Sequence, residues 1–283
     1  MSLIEVRGAT LSDIPAIVRV EAGENGPWGE PDSCLRWTAR RLGRGFFIRI
    51  AFLDGEPAGH AEWIESDGPQ GRTLYLGVLQ VRKDIQRAGV GRAMIADGAA
   101  EALRRGCPAL STMPDLTTGS DTFYAKCGFV KARRAALIEA DARDMGVAVS
   151  EIPTIPESDA REARLVAGLY QFSSRHMHEV AFFPPEGHDR IVRCAEVPGG
   201  RVALMRFPDQ TCADALAWGR FSAPEALAAC LTFAARIGVP RVAFLFDAAE
   251  AGAVRALGLG EWKDYTDFEV IKRLGSPGER ICV

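Results

Sequence analysis

The chain has 283 residues, 47% of them hydrophobic and 25% charged, with a formal net charge of −3. That length suits two domains with substantial cores, and the nearly balanced charge gives no electrostatic reason to expect nucleic acid. No apolar run is long enough to span a bilayer and no signal peptide precedes the first strand-like segment, so a cytoplasmic protein without a membrane partner is expected. The seven cysteines (Cys34, Cys107, Cys127, Cys194, Cys212, Cys230 and Cys282) are scattered and form no C-x-x-C pair, so they read as reduced packing thiols rather than a disulfide frame or zinc site.

In chain order, "IEVRGATLSDIPAIVRVE" from Ile4 predicts a strand and then an amphipathic helix, with Thr10 or Ser12 as cap and Pro15 in the first turn. The stretch Glu21 to Trp37 reads as a loop whose acidic and aromatic residues suit a cationic amine, although Trp28 would serve equally as an anchor between domains. "FFIRIAFLDGEPAGHAEWIES" predicts a hairpin turning at Asp54-Gly55. The pairs Arg40-Arg41 and Arg133-Arg134 read as solvated surface.

Residues Thr73 to Val81 are rich in β-branched, aromatic and aliphatic side chains, as in a buried strand, and Val90 to Arg105 carries apolar residues at helical spacing. Between them lies "RKDIQRAGVG", which places Gly89 and Gly91 at a strand-to-helix junction. A helix start presents unpaired backbone N–H groups and the positive end of the macrodipole, and glycines let an anion approach them. The segment is a phosphate site in outline, though a G-x-G pair alone is better explained as a turn that merely connects two elements. Downstream, after a short apolar run from Ala109 to Met113, Phe123-Tyr124-x-x-x-Gly128-Phe129 reads as a short helix with a glycine cap followed by a strand.

With both motifs in order, the sequence resembles the GNAT acyltransferase superfamily, whose hallmarks are Q/R-x-x-G-x-G/A after the fourth strand and a downstream F-Y-x-x-x-G-F. The resemblance covers about Ile4 to Glu139 and rests on Gln86, Gly89, Gly91, Phe123, Tyr124, Gly128 and Phe129. It implies a sheet that splits between its fourth and fifth strands to admit the pantetheine arm of acetyl-CoA. The implied CoA-binding residues are Leu79, Val81, Gln86, Arg87, Ala88, Gly89, Val90, Gly91, Arg92, Thr117 and Phe123.

The second half repeats the same order of elements. "SEIPTIPESD" from Ser150 marks a boundary or opening strand; a helix is expected within Ala160 to Ser174, a hairpin around Val197 to Gly200, and strands at Arg201 and at Ala213 to Trp218. A helix from Pro224 to Ile237, a strand from Arg241 and a helix over Ala248 to Leu257 complete the repeat. The expected fold is therefore α/β (α+β) with two tandem GNAT-like domains, 1–145 and 146–283, each a mostly antiparallel sheet flanked by helices. In the second copy "GRFSAPEA" replaces the glycine loop and sets Glu225 near the would-be anion site, which reads as a domain without a CoA site. His176, His178 and His188 fall close to Glu179 and Asp189, but no recognised ligand spacing appears, and an acceptor-pocket or polar-surface role is expected in place of a metal.

The resemblance implies acetyl transfer from acetyl-CoA to a small-molecule or peptide amine by direct attack in a ternary complex, with a homodimer as a possible assembly. Tyr124 occupies the family's position for donating to the leaving thiolate, and a backbone N–H near Val81 would face the thioester oxygen. Glu62 and Glu24 are the first candidates for the base, with Glu21 and Glu30 behind them. Three positions depart from the family pattern: Thr117 stands where many relatives carry Asn, Asp121 replaces an apolar helix residue, and Lys83 replaces a common proline. A non-catalytic CoA-binding regulatory or scaffold protein is the alternative reading.

Overall fold

The computed structural model of the chain describes residues 2–21, 31–68, 71–168, 173–184, 190–263, 265 and 267–275. The first half begins with β1 (Ile4–Gly8), a short 3-10 turn and α1 (Ile14–Glu21). Thr10 caps this turn: the Asp13 carboxylate accepts from the Thr10 N–H at 2.8 Å and from Arg7 at 2.9 Å. Next comes α2 (Pro31–Gly43), where the sequence suggested only loop. Its inward stripe is Cys34, Trp37, Thr38 and Arg41, whose helical spacing is hidden because two of the four are polar. β2 (Phe47–Leu53) and β3 (Glu56–Gly68) form the expected hairpin, with Asp54 and Gly55 both at positive φ, 51° and 85°. β4 (Gly71–Val81), α3 (Val90–Arg104), β5 (Ala109–Thr112), α4 (Ser120–Lys126) and β6 (Val130–Asp141) complete this half.

The second half runs β7 (Ser150–Ile152), α5 (Glu157–Glu162), β8 (Leu165–Ala167), α6 (Ser174–Phe182), β9 (Ile191–Val197), β10 (Gly200–Arg206) and β11 (Cys212–Gly219). It continues with α7 (Ala223–Ile237), β12 (Arg241–Asp247), α8 (Ala251–Arg255), β13 (Glu261–Lys263) and β14 (Phe268–Arg273). The helix expected within 160–174 is interrupted by β8, because Leu165, Val166 and Ala167 find strand partners and are all buried there.

The two halves share the same layering. In the first, α3 packs Met94, Ile95 and Ala99 against Trp63, Leu74 and Leu76, while α1 and α2 cover Ile48, Ile50 and Tyr75 on the other face. In the second, α7 covers Val202, Leu204 and Phe244, and α6 covers Ala203, Met205 and Trp218 opposite. Alternating strand residues serve the two faces, as a sheet buried on both sides requires.

The described strands form one continuous order: β1-β2-β3-β4-β5-β14-β6-β12-β8-β11-β10-β9-β7. Its centre is an exchange. β6 runs antiparallel to β13 and β14 along most of its length. The last strand, β14, enters between β5 and β6 of the first half, while residues 135–141 of β6 pair with β12 of the second. Phe268 and Val270 accordingly belong to the first half's core, and Ile138 and Ala140 to the second's. A cut at residue 145 passes between elements but leaves each half without a strand that the other supplies.

Because each core is finished by the other half, Phe268→Ala is expected to cost about 3–5 kcal/mol and to lower the stability of both halves together. Urea unfolding followed by tryptophan fluorescence and far-UV circular dichroism should give coincident single transitions for both proteins; separate transitions for the two halves would contradict the shared sheet.

Candidate functional site

β4 and β5 are parallel and pair only at Leu74 with Leu110 and Tyr75 with Ser111. Beyond that point the strands part, and residues 77–81 of β4 are half-buried along the opening. On its other edge β4 carries a bulge: Trp63 of β3 pairs with Leu76 and Glu62 with Val78, leaving Gly77 as the extra residue. Thr112, the last residue of β5, donates to the Leu76 carbonyl at 2.9 Å and so bridges the fork. Tyr124 of α4 hydrogen-bonds to Thr112. Burial pushes the Tyr124 pKa above its ordinary value, which keeps the phenol protonated at neutral pH. Edge-on contacts with Phe123 and Phe129, at 5.2 and 5.4 Å between ring centroids, fix its orientation.

At the mouth of the opening stands the start of α3. Gly89 caps it with φ 93°, a left-handed conformation that disfavours a side chain. No side chain caps this helix and its first turn holds no acid, so the first N–H groups, those of Val90, Gly91 and Arg92, have no intrahelical acceptor. Gln86 donates to the Val81 carbonyl at 3.4 Å and ties the loop to the end of β4. Gln86, Arg87, Ala88, Gly89 and Arg92 are exposed. Leu79, Val81 and Phe123 are partly buried against the core below. Thr117 lies in the 3-10 turn Leu116–Thr118 between β5 and α4. A cavity of about 550 Å³ opens beside α4, lined in part by Asp121, Lys131, Arg134 and Phe268, so the last strand of the chain borders this region.

The corresponding place in the second half is closed. β11 and β12 pair in parallel from Cys212–Arg241 to Asp214–Ala243, and then β8 enters between them, pairing with Ala217, Trp218 and Phe246. Gly168 and Gly219 extend the closure with bonds of 3.0 Å to Leu245 and Arg164. The start of α7 is closed as well. Glu225 accepts from the Ser222 N–H at 2.8 Å, and Glu250 accepts from the Ala223 N–H at 2.7 Å. Two carboxylates stand where an anion would have to bind.

Glu62 faces away from α3, between Ala61 and Trp63, which face towards it. It is buried in an ion pair with Arg41 of α2, and its other oxygen lies 3.5 Å from His60 Nε2. His60 Nδ1 in turn donates to Glu21 at 2.9 Å. Burial pushes the Arg41 guanidinium down to about 9. Arg41 and Arg133 are thus buried, Arg133 against Glu269 at 2.8 Å, where solvated surface was expected. Their burial follows from contacts distant in sequence. Glu24, Glu30, Trp28, His188, Asp189 and Cys282 lie outside the described residues. His178 donates to the Ile155 carbonyl at 2.7 Å within the second half, whereas His176, two residues earlier, faces the first. The sequence offers no local signal that would bring Arg41, His60 and His176 to Glu62.

The family model described as Acetyltransferase (GNAT) family matches residues 14–129. Among solved structures, a GCN5-related N-acetyltransferase from Kribbella flavida is similar over 96% of this chain and 71% of its own, with 15% identity and a TM-score of 0.62. Another from Anabaena variabilis covers 95% and 72%, with 11% identity and a TM-score of 0.59. A tandem GNAT protein from the clavulanic acid biosynthesis pathway covers 98% of this chain and 100% of its own, with 14% identity and a TM-score of 0.53. These likenesses show the fold, duplicated along the whole chain. No curated protein matches the chain. Among the described residues, no helix is long and apolar enough to cross a membrane.

Two variants probe the local electrostatics. Glu62→Ala leaves Arg41 buried without its carboxylate and is expected to cost about 3–5 kcal/mol in denaturant unfolding. Asp214 on β11 has its pKa raised to about 6, chiefly by burial. Its folded value exceeds the unfolded one of about 4, so the native state binds the proton more tightly and stability falls as pH rises between those values. Asp214→Asn should remove that fall and stabilise the protein by about 2 kcal/mol at pH 7, with the gain gone below about pH 4; thermal unfolding across the pH range checks it.

Proposed function

We propose that the chain, whose residues 14–129 match the acetyltransferase (GNAT) family model, is an acyl-CoA-dependent N-acyltransferase moving acetyl from acetyl-CoA to a primary amine. The observation that carries this reading is the contrast between the halves: an open fork beside an uncapped helix start in the first, a filled fork beside a carboxylate-capped helix in the second. One CoA site per chain follows. The pyrophosphate would bind the N–H groups from Val90 to Arg92 with Gln86 to Gly89 around it, while the pantetheine arm lies along Leu79 and Val81 and under Phe123. Thr117 borders the same path.

Two protons leave the acceptor ammonium as the N–C bond forms and the C–S bond breaks. The first passes to Glu62, from which His60 and Glu21 lead away, the contacts being 3.5 and 2.9 Å. Glu24 is the other candidate for the base. The second replaces the proton that Tyr124, whose phenol burial keeps protonated, gives to the departing thiolate. Backbone N–H groups of the opened β4, up to Val81, would meet the charge developing on the thioester oxygen. The protein would work as a soluble enzyme of the cytoplasm.

Calorimetric titration of CoA-stripped protein with acetyl-CoA should give one site per chain, abolished by Gly89→Glu, which sets a carboxylate at the helix start in a strained conformation. Absence of binding to the unaltered protein would overturn the reading. Tyr124→Phe is expected to keep acetyl-CoA affinity within about twofold while lowering kcat about a hundredfold, measured by release of the CoA thiol.

A further inference from the structure

The cavity of about 550 Å³ beside α4 lies apart from the path drawn for CoA. Its size is that of a small-molecule site. Asp121 and Phe123 stand two residues apart on α4, about 200° around the helix, so they face opposite ways. Phe123 turns to α3, where a Cβ on Gly91 would meet its ring at 3.1 Å, and Asp121 turns to the cavity. The helix therefore separates the two. Yet the fork itself is near: Asp121 precedes Tyr124 by about one turn, roughly 5 Å along the helix. Phe268, another wall of the cavity, stands about 7 Å along β14 from Val270, which pairs with Thr112.

The charge of this cavity is set by the register of β6 against β14. Phe268 pairs with Arg134 and Glu269 with Arg133, after which the register slips and Val270 pairs with Lys131, leaving Ala132 as the extra residue. Residues three apart on a regular strand face opposite sides. The bulge at Ala132 undoes that alternation and puts Lys131 and Arg134 on the face that Phe268 and Val270 share. Lys131 Nζ accordingly lies 4.0 Å from the centre of the Phe268 ring. Arg133 turns to the other face, where Glu269 neutralises it at 2.8 Å. Among the described residues no ion pair engages Lys131 or Arg134. Set against the single carboxylate of Asp121, they leave the cavity with a net positive charge that one carboxylate of a ligand would balance.

We propose that this cavity seats a carboxylate of the acceptor, held by Lys131 and Arg134, while the acceptor's amine reaches the thioester beside Tyr124. This inference rests on the acyl-transfer reading above. The guanidinium of Arg134 can take both oxygens of a carboxylate, and the ammonium of Lys131 adds its charge. Leu116 and Phe268 give an apolar wall for the carbon chain between the two ends. Acceptors of this class are amino acids whose amine and carboxylate stand several carbons apart. A diamine sets a second cation against Lys131 and Arg134 and is disfavoured. The second half takes part as well, because the Phe268 ring under Lys131 comes from the last strand of the chain.

The test uses the full chain and acetyl-CoA with ε-aminocaproate, its amide and hexamethylenediamine as probes, and reads release of the CoA thiol. ε-Aminocaproate should exceed its amide by at least about tenfold in kcat/KM, the size of a hydrogen bond to a charged group, with the diamine below both. Lys131→Gln combined with Arg134→Gln should lower kcat/KM for ε-aminocaproate about tenfold or more, with acetyl-CoA affinity by calorimetry within about twofold. Lys131→Glu combined with Arg134→Glu should reverse the order and favour the diamine. Both positions are exposed, so these variants are expected to fold. Calorimetric binding of ε-aminocaproate to the CoA-saturated protein, lost in the Gln variant, checks the site without turnover. Equal use of ε-aminocaproate and its amide would overturn the proposal, as would an unaltered protein that binds acetyl-CoA and acetylates neither. A Gln variant that loses acetyl-CoA affinity in the same proportion would also overturn it, giving the cavity to the ribose phosphate of CoA. Failure to bind acetyl-CoA at all would instead strike the acyl-transfer reading, and this inference with it.

Discussion

Where two parallel strands part, the backbone groups along their facing edges lose one another and must find other partners, because an unpaired buried N–H or carbonyl is costly. That constraint acts twice in this chain and is met in two ways. In the first half Thr112 takes the Leu76 carbonyl, with Tyr124 beside it, and the rest of the edge stays available. In the second half the chain supplies its own strand, β8, and the ladder closes. The same fold therefore holds one open fork and one filled one. The helix beside each fork follows suit, uncapped in the first half and bonded to Glu225 and Glu250 in the second.

The second half is consequently more than a lost copy of the first. Its last strand completes the first half's sheet between β5 and β6, and its helix α6 lays His176 over the β4 bulge. The contacts that hold α6 there are charge-assisted and largely shielded, with Glu179 2% exposed and Arg44 22%. Such pairs gain from their burial only while both partners are present, which ties the geometry of this face to the docking of the two halves.

Much of this was legible because it is local. The Asp54-Gly55 turn, the α3 start at Gly89, the glycine cap after Tyr124 and the repeated order of elements each depend on residues within a few positions of one another. The α2 helix was obscured because Thr38 and Arg41 stand in its inward stripe, and helical periodicity is read from apolar residues. β8 was read as helix because three apolar residues between polar ones carry no period of their own. Their partners lie about 50 and 80 residues away.

The sequence by itself determined which half keeps an open helix start, since that is a matter of glycines, caps and acids within one turn. It also determined the duplication, since the order of strands and helices is written in local periodicity. Only the tertiary structure decided that β6 and β14 cross between the halves, that Arg41 and Glu62 are buried together, and that His176 reaches Gly77. The physical reason is range. Turns and caps are settled by neighbours along the chain, whereas strand insertion and buried charge pairs are settled by which distant surfaces can satisfy each other's hydrogen bonds.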